Sequence, residues 1–386
     1  MDETHFTPPI GIATINRNFL LSNYGSLMQH YALRQVLKQL GYAPFRMDTT
    51  SRFTEERTRL YLRLKRRFCY LLHQIGIRPY TPEGARFVQS ILFREKSFRR
   101  FYIDNIAPII EKQAANCKKY LAGSDQIWTE CDSDAFLTSI QKSDAQKIAY
   151  AVSADWQLCG DDPRWLSEAG AALSSFRHIS LREKLGCEIC KKLLPDMDIT
   201  QTLDPVLLLT RDDYSMLVSE LPVFRKKTLF CYLLNIQSTE ALPVAQLAKL
   251  ASKWDMQLRI CGIQGAELFI PEKYQLLLSP EDFIKCFRDA VFVITNSFHG
   301  CLFALLFQCP FLCLKQEPRK TGNQNLRQQE LLEWLNLEDR HISRDNLDGM
   351  TDVLRRNLDW QSINEKISMR RIQSFQWLTK SLGESS

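Results

Sequence analysis

Val291-Phe292-Val293-Ile294-Thr295-Asn296-Ser297-Phe298-His299-Gly300 is the stretch that decides the fold. Its four leading apolar residues suit a parallel strand covered on both faces. The next segment, Cys301 to Phe307, is equally apolar and predicts a core helix entered through a tight polar turn, Thr295 to Gly300. Strand, turn and helix in that order make the unit of an open α/β sheet, whose ligands lie outside the carboxyl ends of the strands. A helix that starts there presents unpaired N–H groups to an anion, with the hydroxyls of Thr295 and Ser297 as further donors. His299 then stands where phosphate chemistry can occur, carrying the side chain that exchanges a proton near neutral pH. A plainer reading is also open, in which Asn296 and Ser297 cap the helix and His299 packs.

Towards the N-terminus the same alternation repeats. Gly11 to Ile15 reads as a strand, Asn23 to Leu40 as a helix ended by Gly41, and Pro44 to Met47 as a second strand. Asn23, Tyr24 and Gly25 fall where the loop after the first strand meets its helix, but without a G-x-G-x-x-G run a dinucleotide is not implied. Lys118 to Ala122 predicts a strand that delivers Ser124, Asp125 and Gln126 to the functional edge of the sheet; an Asx turn is the alternative for Asp125. Lys147 to Ser153 and Phe176 to Leu181 are further strands, the second placing Arg182 and Glu183 at a strand-to-helix junction. Arg182 there can grip a carboxylate or phosphate bidentately, or simply pair with Glu183.

After Thr202 to Leu209 a polar stretch to Lys227 reads as a connection between domains. The alternation then restarts: strands at Leu229 to Leu234, Leu258 to Gly262 and Phe311 to Leu314, helices at Ala241 to Lys253, Pro280 to Arg288 and Leu326 to Asn336. A polar loop before the last of these carries Arg319 and Lys320. The predicted fold is α/β, two Rossmann-like domains around a cleft (1–209 and 210–358), with a final helix (359–386) packing back across the first domain.

A chain of 386 residues has room for two cores, and 45% hydrophobic with 24% charged residues is ordinary for a globular protein. No eighteen-residue apolar run and no signal peptide is visible, so a cytoplasmic protein is expected. The twelve cysteines are scattered through apolar segments, as small buried hydrophobes would be. Cys187 and Cys190 have C-x-x-C spacing, but no second pair accompanies them and no metal site is expected. The net charge of +6 is uneven. Between Arg52 and Phe101, 13 basic face 4 acidic residues, a local +9, and Leu60, Leu64, Phe68, Leu71, Leu72 and Ile75 recur at helical spacing. This basic helical insertion is either a solvated face or a contact with an anionic inner-membrane surface; it carries no nucleic-acid recognition motif.

The motifs together resemble the polysaccharide pyruvyl transferase family. The likeness is carried by Asn23-Tyr24-Gly25 with Gln29-His30-Tyr31-Ala32-Leu33, by Gly123-Ser124-Asp125-Gln126-Ile127-Trp128 and by Lys147-Ile148-Ala149-Tyr150-Ala151. It continues through Ser180-Leu181-Arg182-Glu183, Leu203-Asp204-Pro205 and Thr295-Asn296-Ser297-Phe298-His299-Gly300, and ends near Leu337-Glu338-Asp339-Arg340. The resemblance implies a GT-B-like fold and transfer of a pyruvyl group from phosphoenolpyruvate to sugar hydroxyls of a polysaccharide or its lipid-linked precursor, with no redox cofactor. It implies that His299 is the acid/base, that Arg182 holds the donor's anionic groups, and that Asp125 faces the cleft. Several members have arginine where this chain has Ser297, and Arg319, Lys320 or Arg327 is then the replacement cation. A nucleotide-sugar glycosyltransferase fits the same cleft, although no stretch of the second domain announces a base slot with an acidic partner for ribose. A non-catalytic carbohydrate-binding or assembly protein is the third alternative.

Overall fold

The computed structural model describes residues 7–14, 23–47, 68–76, 81–106, 117–130, 134–316, 325–349 and 356–383. Its two sheets are parallel throughout. The first contains β1 (Pro9–Ala13), β2 (Ala43–Arg46), β3 (Lys119–Gln126), β4 (Gln146–Ser153), β5 (His178–Leu181) and β6 (Ile199–Gln201), in the order β2-β1-β3-β4-β5-β6. The second contains β7 (Thr228–Leu234), β8 (Gln257–Ile263), β9 (Phe292–Thr295), β10 (Phe311–Leu314) and β11 (His341–Ile342), in the order β11-β10-β9-β7-β8. In each sheet the order reverses beside the first strand, between β1 and β3 and between β7 and β9, which is where open α/β sheets hold their ligands. The apolar strands β7, β9 and β10 are buried along their whole length, as strands covered on both faces must be.

Three local differences from the sequence reading move site residues. β3 runs on through Gln126, so Ser124 and Asp125 belong to the end of a strand rather than to a loop. That end is irregular: Asp125 and, on β4, Ala151 both have left-handed backbones (φ 69° and 47°), and the β4–β5 register shifts between Ala149 and Val152. The Ser180 hydroxyl accepts the Ala151 N–H at 3.0 Å, replacing a lost ladder bond. The helix after β9 starts at Phe298 rather than Cys301, which puts His299 in its first turn. β6 and β11, of three and two residues, went unread.

The lobes are pressed together. Tyr24, at the start of the helix Tyr24–Gln39, stacks on Phe283 of the second lobe (4.4 Å, 7°) and donates to the Leu278 carbonyl at 2.7 Å. The largest apolar cluster runs without a break from β1 through Phe283, Phe303 and the closing helix. That helix, Trp360–Ser381, lies against the first sheet: Ser374 accepts the Leu203 N–H at 3.0 Å, and Trp377 packs near Tyr150. Of the basic segment, only 68–76 and 81–106 fall within the described residues, so Leu60 and Leu64 lie outside them.

Candidate active site

The second lobe contributes a turn whose polar atoms are mostly committed to holding its own shape. Thr295 Oγ1 donates to the Tyr232 carbonyl at 2.7 Å and accepts the Ser297 N–H at 3.1 Å. Ser297 is the N-cap of the helix Phe298–Leu306 and accepts the Gly300 N–H at 3.3 Å. Asn296 does not cap. Its side-chain amide spans the switch point, accepting the Leu234 N–H at 2.8 Å and donating to the Leu234 carbonyl at 2.9 Å. The Thr295 hydroxyl hydrogen is therefore already committed to a carbonyl, while Ser297 Oγ is held as an acceptor. Gly300 is required by close approach, because a Cβ there would lie 2.3 Å from Thr295 Oγ1.

The first lobe brings the charges. Arg182 follows β5, and its Nε donates to Glu183 Oε1 at 2.8 Å while Nη1 donates to Asp204 Oδ2 at 2.6 Å. Glu183 is itself held by the Ser153 hydroxyl and the Trp156 indole, each at 2.8 Å. Asp204 follows β6; its Oδ1 accepts the Val206 N–H at 2.9 Å and its Oδ2 also accepts from Ser124 Oγ at 3.2 Å. Asp125 accepts from the Ser26 hydroxyl and from the N–H of Gln126. Asn23 caps the first helix by accepting the Gly25 N–H at 2.8 Å, and accepts from Tyr232 across the seam at 3.0 Å. Tyr24 is a core residue, wholly buried between aromatic rings.

His299 closes the two halves upon each other. Its Nε2 lies 3.3 Å from Asp204 Oδ2, an ion-pair distance off the line of a good hydrogen bond. The imidazole packs directly on Gly25, where a Cβ would come within 2.2 Å of Nδ1. Phe298 lays its ring under the Arg182 guanidinium at 4.4 Å. Arg182 Nη2 has no hydrogen-bond partner and is buried, and Arg182 lines a narrow crevice of about 40 Å³ with Asp204, Phe298, Arg327, Glu330 and Trp334. Arg327 is near enough to feel Arg182, Glu183 and Asp125: burial and then Arg182 lower its pKa, the carboxylates raise it. Arg319 and Lys320 lie outside the described residues.

The charges set one another's protonation. Burial pushes the Asp204 carboxyl up, but His299 and then Arg182 override it and hold the group well below the usual carboxylate range. Asp125 is treated alike: burial raises it, His299, Arg182 and the Ser26 hydroxyl lower it, and the net direction is down. Burial opposes the charge on Arg182, yet Glu183, Asp204 and Asp125 together raise its pKa. The result is a closed set of carboxylates and cations with one proton-exchanging ring, fed from both sheets.

A family profile for polysaccharide pyruvyl transferase matches residues 23–318, most of the chain and every described residue of this constellation except Arg327, Glu330 and Trp334. The chain belongs to the polysaccharide pyruvyl transferase family. It is therefore an enzyme of this type, with a polysaccharide as the class of acceptor. A search of curated proteins gives no match. Among solved structures, a Listeria monocytogenes protein named for UDP-N-acetylglucosamine 2-epimerase activity aligns over 98% of both chains with 13% identity and a TM-score of 0.53, which shows the shared two-domain, GT-B-like fold. The S. aureus MnaA–UDP structure aligns over 99% of both chains at 12% identity (TM-score 0.49), and the glycosyltransferase SnogD from Streptomyces nogalater over 97% of this chain and 98% of its own at 12% (0.43).

For a polysaccharide pyruvyl transferase, the structure brings together His299, Asp125, Arg182, Ser124, Gly25 and Arg327, and puts Gln126 at the half-buried end of β3. The residue missed from sequence is Asp204. It stands three residues beyond the end of β6, whereas Asp125 lies at the end of β3 and Arg182 directly follows β5, and its strand has only three residues and gives no periodic signal. Ser26, next after Gly25, is a second residue that the structure adds, its hydroxyl donating to Asp125.

Proposed function

We propose that this pyruvyl transferase takes phosphoenolpyruvate as donor and forms a ketal on two hydroxyls of a glycan or its lipid-linked precursor. The observation that carries the proposal is the convergence of His299 from one lobe with Arg182 and Asp125 from the other. In the reaction a proton goes to the methylene carbon of the donor and C2 becomes electrophilic. One sugar hydroxyl adds at C2 and loses its proton, the C–O bond to phosphate breaks, and a second hydroxyl closes the ketal; the products are the ketal and inorganic phosphate. His299 serves as the proton carrier. Arg182, with an unshared N–H direction at Nη2, faces the donor's anionic groups. Arg327 supplies the cation that Ser297 does not.

The test is phosphate release from phosphoenolpyruvate in the presence of acceptor glycan, for the wild type and His299→Ala. Loss of general acid/base catalysis is expected to lower turnover by about a hundredfold or more with the fold intact. Undiminished turnover in the variant removes His299 from the chemistry. Thermal stabilisation by uridine or guanosine diphosphate, with none by phosphoenolpyruvate, replaces the donor with a nucleotide sugar.

We further propose that the basic segment 52–101 lies against an anionic membrane surface. No described helix is long and apolar enough to cross a membrane. The support is the local excess of positive charge together with exposed Phe68, Leu71 and Ile75 on one helical face.

A further inference from the structure

We propose that Asp204 is the positioning residue for His299, the pair being formed across the seam between the two lobes; the proposal rests on His299 being the acid/base. The two side chains come from different sheets: Asp204 follows β6, and His299 is carried by the helix after β9. Among the described residues, Asp204 is the ion-pair partner of His299. The carboxylate is itself immobilised from the first lobe, by the Val206 N–H, the Ser124 hydroxyl and Arg182 Nη1. Asp204 is thus a fixed counter-charge waiting at the seam.

The imidazole is steered onto it by the same lobe. Gly25 leaves the space that the ring occupies, so the first helix and Asp204 hold His299 from two directions. Other groups facing the pair are Asp125 from β3, Arg182 from the end of β5, and Tyr150 and Tyr214 near Asp204. Beside the ring, Phe298 lies against the Arg182 guanidinium, a second contact across the same seam. Asp204 touches no reacting atom; it acts through the ring it faces.

Two variants separate positioning from bulk structure. Asp204→Asn removes the charge at nearly constant shape, and Gly25→Ala leaves Asp204 bonded to Arg182 but pushes the ring away. Each is expected to lower kcat by about a hundredfold. If both act through placement of one ring, the double variant falls no more than about threefold below the worse single variant. The ¹⁵N shifts of the His299 ring, recorded on folded protein, should move in both. A near-wild-type kcat in either folded variant, fully multiplicative losses in the double variant, or an unmoved His299 ring spectrum in Asp204→Asn overturns the proposal. If the wild type consumes no phosphoenolpyruvate with any acceptor, the donor assignment fails and the ring spectra alone decide the pair. Should Asp204→Asn fail to fold, Gly25→Ala still decides through the same two readouts.

Discussion

A single guanidinium shows how much one residue is asked to do here. Arg182 spends Nε on Glu183 and Nη1 on Asp204, lies over Phe298, and keeps a buried Nη2 without a hydrogen-bond partner. Only a planar fork with donors in several fixed directions meets these demands together. Arg182→Lys keeps the positive charge that Glu183 and Asp204 require, so the fold is expected to survive, but an ammonium cannot reach all three directions. Donor affinity should fall by the worth of one charged hydrogen bond, about 1.5–3 kcal/mol or roughly ten- to a hundredfold in Kd. Calorimetry with phosphoenolpyruvate measures it. An unchanged donor Kd beside a weakened acceptor Kd places Arg182 on the other side of the reaction. Both the anion-gripping reading of Arg182 and the Glu183 alternative were legible in Ser180-Leu181-Arg182-Glu183; the structure shows the Glu183 pair and leaves Nη2 without a hydrogen-bond partner.

At the scale of elements, legibility followed the strength of the local pattern. Phe311–Leu314 was read to the residue, and Thr228–Leu234 within one, because buried parallel strands are unbroken apolar runs. The helices Trp156–Asp161 and Pro163–Leu173 were passed over although Asp155 and Asp162 cap them and Pro163 opens the second. Their apolar stripes are short and interrupted by glycine and acid. The Asp204 site stayed hidden for a related reason, since its meaning comes from Arg182, Ser124 and His299, residues 22, 80 and 95 positions away. The basic helices carry a prediction of their own. Phe68, Leu71 and Ile75 are 61%, 53% and 59% exposed, within the arginine-rich sequence segment 52–101. Each basic residue near an anionic bilayer contributes about 1 kcal/mol, so binding to anionic liposomes should be reversible and should weaken with salt. Co-sedimentation that is equal on neutral liposomes, or absent at low salt, returns these helices to solvent.

The whole molecule behaves as one unit because its main apolar cluster crosses from the first sheet to the second and on to the closing helix. Local changes in protonation therefore act on a shared unfolding equilibrium. Burial, with Arg46 and Arg34, lowers the pKa of His30 from 6.5 to about 3, and burial with Lys315 lowers that of His341 to about 4. The unfolded chain takes up these protons as pH falls below 6.5 while the folded chain does not, so stability is lost in that direction. Asp204 and Asp125, held below their ordinary value, add a second loss as pH falls below 3.8. Glu330, raised by burial while it accepts the N–H groups of Lys184 and Leu185, opposes this only in part. On the alkaline side, buried thiols such as Cys187 and Cys261 are pushed up from 9.0 to about 12, and Tyr24, Tyr150, Tyr214 and Tyr232 rise above 10.0. The unfolded chain loses those protons first, so stability falls again as pH rises past 9. A plateau between about pH 6.5 and 9 is the expected profile, with an acid slope of up to about 1.4 kcal/mol per pH unit for each proton taken up. At about 2–4 °C per kcal/mol, a Tm lower by several degrees at pH 5 than at pH 7 is the predicted reading, and His30→Gln should flatten that limb. A Tm that holds steady from pH 7 to pH 5 in the wild type would mean that His30 and His341 take up protons in the folded chain as readily as in the unfolded one.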